Sequence, residues 1–106
     1  EGCAIYFSTD FDVTSSQQFT VDSYLIKAAQ ICRDSGYLFG QYGGYYELKR
    51  SFDLNLIDCG WQSLGWSYGH VESRAALRQI QNGLVVAGGR VDVNTMVGEA
   101  HLWKYC

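Results

Sequence analysis

The chain has 106 residues, 47% of them hydrophobic, and a formal net charge of −3 from 8 basic and 11 acidic side chains. That length predicts one domain over residues 1–106, and a domain so small buries only about two-thirds of its unfolded surface. No Lys/Arg run is present, which counts against nucleic acid as a partner, and no segment reaches the roughly 20 apolar residues of a membrane helix.

In chain order, the apolar run "CAIYF" (3–7) predicts a strand, and the polar "STDFDVTSSQQ" (8–18) a loop. The segment 20–36 predicts a helix. Thr20 is its expected N-cap, Asp22 favours its positive end, and Gly36 stops it. Tyr24, Leu25, Ala28, Ala29 and Cys32 form its apolar stripe. "YLFGQ" (37–41) reads as a short strand. A second helix is expected within 42–53, with Tyr45, Leu48 and Phe52 inward, and 54–61 returns to extended chain. Residues 72–81 suggest a helical turn. "GLVVAGGRVDV" (83–93) predicts a strand bent at its paired glycines, and 99–106 alternates with the period of a strand. The total is an α+β fold of two helices with short antiparallel sheets.

Four cysteines, Cys3, Cys32, Cys59 and Cys106, stand at wide intervals with no C-x-x-C pair. That spacing disfavours a zinc or redox motif and favours two structural disulfides in an oxidising compartment. The expectation is a secreted or cell-surface ectodomain. Three connectivities are open from spacing alone. His70 and His101 are too scattered for a metal site, so neither metal nor cofactor is expected.

The segment "CGWQSLGWSYGHVESR" (59–74) gathers Trp61, Trp66 and Tyr68 among glycines. Trp61 is assigned to the core. Trp66 and Tyr68 are assigned to the surface, where exposed rings rimmed by polar groups mark an interaction site. His70 with Glu72 is the only pair that suggests a hydrolase, which predicts one cleft holding both. With no evident nucleophile or oxyanion donor, the expected function is noncatalytic.

The pieces "AAQIC" (28–32), "CGWQSLG" (59–65) and "VVAGGRVDV…HLWKYC" (85–106), in this order, resemble the Link module, a hyaluronan-binding domain of C-type-lectin-like fold. The resemblance runs from about Ile5 to Cys106. It implies a Cys32–Cys106 disulfide and leaves Cys3–Cys59 as the second; Cys3–Cys106 with Cys32–Cys59 is the rival pairing. It also implies a noncatalytic glycosaminoglycan-binding module, with hyaluronan as the leading ligand. Phe19, Trp66 and Tyr68 would stack on sugar rings, Arg90 would hold a carboxylate, and Arg74 and Arg78 would assist. The alternative function is a protein–protein adhesion module on the same scaffold.

Overall fold

Ile5 and Phe7 alternate with Tyr6 along the first strand, and that alternation decides which face of the sheet the helices cover. A computed structural model describes residues 2–103. Strand β1 (Ala4–Ser8) is followed by helix α1 (Gln18–Asp34), strand β2 (Leu38–Gly43), helix α2 (Tyr45–Asp53) and strand β3 (Cys59–Gln62). Strands β4 (Leu77–Val86) and β5 (Gly89–Met96) complete one five-stranded sheet in the order β1-β2-β3-β4-β5.

The sheet is mixed. β1 through β4 run parallel, and only β4 and β5 pair antiparallel. This overturns the expected C-type-lectin-like Link fold with its short antiparallel sheets. The physical reason lies in the connections. A 17-residue helix between β1 and β2 is a crossover, which returns the chain to the same end of the sheet and makes the next strand parallel. α2 repeats the move between β2 and β3.

Both helices lie on one face. Val21, Leu25, Ala29 and Cys32 of α1 and Leu48 of α2 form a single core with Phe39 and Ile57, flanked by Ile5, Phe7 and Phe52. Phe7 and Phe39 pack with ring centres 5.1 Å apart. Gly60 admits α2 to the sheet, since a Cβ there would lie 3.0 Å from the Phe52 ring.

Several local expectations shift. α1 begins at Gln18 rather than after Thr20, and no side chain caps it. Its stripe is Val21-Leu25-Ala29-Cys32, while Tyr24 is exposed. The C-terminal end behaves as expected. Gly36 adopts φ +88°, and the amides of Gly36 and Tyr37 reach the carbonyls of Arg33 and Cys32, which closes a Schellman motif. The expected helical turn at 72–81 does not form: residues 77–81 belong to strand β4 and 72–76 are irregular chain leading into it. The paired glycines of 83–93 do not bend one strand. Ala87 (φ +50°) and Gly88 (φ +82°) instead form a two-residue hairpin turn of the I′ type between β4 and β5. The segment 97–103 is not a strand, although Ala4 N–H bonds to the His101 carbonyl at 2.8 Å. Residues 104–106 of the expected final strand lie outside the described residues.

The expectation of two disulfides is also corrected. Cys32 and Cys59 are free and buried, so Cys32–Cys106, Cys3–Cys59 and Cys32–Cys59 do not form. Cys32 sits on the helix-covered side. Cys59 lies on the opposite face of the sheet, in register with Gly40. Burial pushes both thiols above the usual cysteine range, which suppresses the reactive thiolate. Alkylation without reductant should therefore leave Cys32 and Cys59 unmodified in the native protein and label both after unfolding; peptide mass spectrometry reads the sites.

Candidate functional site

With both helices on one side, the other face of the sheet is open. It carries Tyr6 of β1, Tyr42 of β2 and Trp61 of β3. Trp61 stands opposite Tyr42 in register, and the rings meet edge-on at 5.0 Å; Tyr6 lies 6.1 Å from Trp61. Tyr6 lies against the backbone of Gly40, where any Cβ would come within 2.7 Å of its ring. Two hydrogen bonds fix the outer rings: Tyr6 Oη donates to the Ala100 carbonyl at 2.7 Å, and Trp61 Nε1 donates to Asn94 Oδ1 at 2.8 Å.

These rings, with Ser8, Gln79, Asp92 and Asn94, line a groove of about 300 Å³. At the C-terminal ends of the parallel strands it opens into a second recess of about 300 Å³, where Asp10, Ser63, Trp66 and Asn82 join Tyr42, Gln79 and Asp92. Three shared residues make the two recesses one cleft. Its position is where parallel α/β sheets bind ligands, outside the carboxyl ends of the strands.

Gln79 is the strut of this cleft. Its buried amide accepts from Leu64 N–H at 2.9 Å and donates to Asp92 Oδ2 at 2.7 Å, so it ties the loop after β3 to the hairpin. Asp92 Oδ1 accepts from Gly83 N–H at 3.1 Å. Gly83 (φ +66°) lies within the irregular pairing between Gln81 and Leu84, a bulge that turns a strand amide toward the carboxylate. The loop is held from the other side by Ser67, whose hydroxyl donates to the Ser63 carbonyl at 2.7 Å and accepts from Tyr45 N–H at the start of α2, at 3.1 Å.

The electrostatics are one-sided. Asp10 and Asp92 line the cleft, and none of the described residues lining these two recesses is Lys or Arg. Burial first, then the charges of Asp10 and Asp92, push the Tyr42 phenol above its usual range. Burial, with Cys59 and Glu99 adding to it, raises Tyr6 further. Both hydroxyls remain protonated where a free tyrosine would ionise. The site therefore offers aromatic faces, carboxylate and amide acceptors, and neutral hydroxyls. Among the described residues no group of three or more His, Cys, Asp or Glu side chains is placed to hold a metal ion.

Of the six residues expected to bind ligand, Trp66 lines the cleft. Tyr68 is exposed beyond it and donates to Asp12. Phe19 stands on the first turn of α1, 82% exposed. Arg90 is exposed beside the hairpin turn. The Arg74 guanidinium is held by Glu72 and Asp53 and lies over the Phe52 ring at 5.0 Å. Arg78 faces a shallow recess beside His70 and Gln79. Glu72 bonds to Arg74 while the His70 ring packs on Tyr45 at 5.0 Å, so the two members of the suspected pair have different partners. Trp61, assigned to the core, stands instead on the open face. Tyr6, Asp10, Tyr42, Gln79 and Asp92 were not anticipated. The one available signal was Tyr6, out of phase with Ile5 and Phe7 in its strand.

No protein-family model matches the chain, and no curated protein matches it. Among solved structures it is similar to the Tat-secreted protein Rv2525c of Mycobacterium tuberculosis, crystallised in complex with L-tartrate. The TM-score is 0.75 at 23% identity, over 92% of this chain and 48% of that one. The likeness shows a shared fold, and this chain spans about half the length of its neighbour.

Two outcomes follow from the geometry. The raised phenols contribute stability that is fully present below about pH 10 and is lost as pH climbs past it, because the unfolded chain then releases protons that the fold retains. Thermal melts between pH 8 and 12 should show Tyr42→Phe with a shallower alkaline decline than wild type. At Gly44, a Cβ would lie 2.7 Å from the Trp66 carbonyl oxygen. Gly44→Ala should displace the 63–67 loop and change tryptophan fluorescence, at a cost of about 1–3 kcal/mol in a chemical melt.

Proposed function

We propose that the chain is an exported, noncatalytic binding module that recognises a polyhydroxylated, carbohydrate-type ligand in the open-face cleft. The observation that carries this reading is the composition of one continuous cleft: Trp61, Trp66 and Tyr42 rings beside Asp10, Gln79 and Asp92 acceptors. A sugar ring presents apolar C–H faces and a rim of hydroxyl donors, and this lining complements both. Ligand sites of about this size combine apolar walls with a few placed polar groups.

The cleft favours a neutral glycan over hyaluronan. A uronic-acid polymer brings regularly spaced carboxylates, and the wall it would meet carries Asp10 and Asp92 with no Lys or Arg among its described lining residues. Arg90, Arg74 and Arg78, the residues that would answer a polyanion, lie elsewhere. Export is supported by the secreted character of the structural neighbour. Among the described residues no helix is long and apolar enough to cross a membrane.

A second reading has one specific observation behind it. Two carboxylates, Asp10 and Asp92, line the same recess, the residue type that glycoside hydrolysis uses in pairs.

Calorimetric titration with neutral oligosaccharides, hyaluronan oligomers and L-tartrate tests the reading. Wild type should bind a neutral glycan. Asp10→Ala should weaken that binding about tenfold, since a hydrogen bond to a charged group contributes about 1.5–3 kcal/mol and 1.4 kcal/mol is a factor of ten. Absence of binding to every carbohydrate at millimolar concentration would end the proposal. Hyaluronan binding that disappears in Arg90→Ala would restore the glycosaminoglycan reading. New reducing ends that vanish in Asp10→Asn would make the site hydrolytic.

A further inference from the structure

The cleft does not stop at Trp66. Beside Trp66 is a third recess of about 160 Å³, walled by Phe11, Asp12, Val13, Tyr46 and Glu47. Trp66 lines this recess and the main cleft alike. We propose that the two are consecutive subsites separated by Trp66, so that the ligand is an extended oligosaccharide and not a single small sugar. This rests on the carbohydrate reading above and specifies the ligand's length.

Three independent features support it. The first is backbone strain. Trp66 (φ +57°) and Tyr68 (φ +53°) both occupy the left-handed region, which large side chains rarely adopt. Ser67 between them is pinned by its bonds to Ser63 and Tyr45. Such conformations persist where surrounding structure enforces them, and they cluster at ligand clamps. The effect is to hold Trp66 between two recesses.

The second is the aromatic rim beyond Trp66. Tyr46 is 55% exposed, with its ring centre 6.4 Å from Tyr68 and 5.7 Å from His70. Packing among these side chains limits their motion, and Tyr68 is fixed further by its hydrogen bond to Asp12. Rings already held in place lose little rotamer freedom on binding.

The third is Glu47. It is 7% exposed, yet it lines the recess, and its described bond is a long one of 3.3 Å from Gln18 Nε2. Burial pushes its carboxyl above the usual carboxylate range. A buried carboxyl with bonding capacity to spare can exchange hydrogen bonds with ligand hydroxyls.

A length series of chitooligosaccharides and one of maltooligosaccharides, each from one to six units, tests the inference on the intact chain by calorimetry. In the series that binds, affinity should rise at least tenfold between two and five units. Tyr46→Ala and Glu47→Gln should each flatten that rise, with folding checked by circular dichroism. Equal affinity at all lengths, or an unchanged rise in both variants, overturns the second subsite while leaving the main cleft standing. Failure of every length to bind removes the carbohydrate reading itself, and this inference with it.

Discussion

The constraint on which the rest depends is that both crossover helices pack on the same side of a parallel sheet. α1 and α2 bury Phe39, Leu25 and Leu48 on that side, and among the described residues no helix covers the other. Parallel sheets are ordinarily covered on both faces, because unpaired apolar surface is costly. Here the uncovered face is lined by Tyr6, Tyr42, Trp61 and Gln79 in place of Val and Ile. These side chains tolerate water at one end and packing at the other. The same parallel order points the ends of β1 through β4 the same way. Asp10, Gly44 and the 63–67 loop all emerge at one edge for that reason, and the cleft is a consequence of topology before it is one of composition.

Polar struts then convert an edge into a site. The side chains of Gln62 and Gln79 are buried, an expensive state unless their amides are paired. Gln62 holds the loop by donating to the His70 carbonyl at 2.7 Å and accepting from Glu72 N–H at 2.8 Å. Gln79 does the same between Leu64 and Asp92. Gln62 thus pins the 70–72 segment through both ends of its amide, while Gln79 divides its acceptor and donor between Leu64 and Asp92, so loop and hairpin cannot move independently without stranding a buried group. Rigidity of the cleft wall comes from these two side chains more than from the glycine-rich loop itself.

Much of the element order was legible in the sequence, and the pairing of the elements was not. The stripe Leu25-Ala29-Cys32 and the stop at Gly36 mark α1 by local chemistry alone, and Gly44 opens α2 in the same way. Parallel against antiparallel pairing is set by how far each connection travels, which residue patterns of four or five positions do not encode. Wide cysteine spacing suggests a disulfide pattern, but free thiols also serve as small hydrophobic groups, as Cys32 does in the core that holds Leu25 and Phe39. The site was harder still. Asp92 acquires its role from a bulge at Gly83, and Asp10 from the edge where β1 ends. Neither is visible without the sheet.

The rings of 59–74 divide into two jobs, and the division follows from backbone geometry. Trp61 sits in a strand, where alternation aims it at the open face and Asn94 fixes its indole. Trp66 sits in a loop at positive φ, where nothing in the regular pattern of a strand or helix would aim it. Its position depends on Ser67 and on the absence of a Cβ at Gly44, whose ideal position lies 3.1 Å from the Trp66 Cβ. A ring placed only for packing needs no such support, since any rotamer that fills space serves. A ring held at the junction of two recesses by a strained backbone, a buried serine and an obligatory glycine is placed for what approaches it from outside.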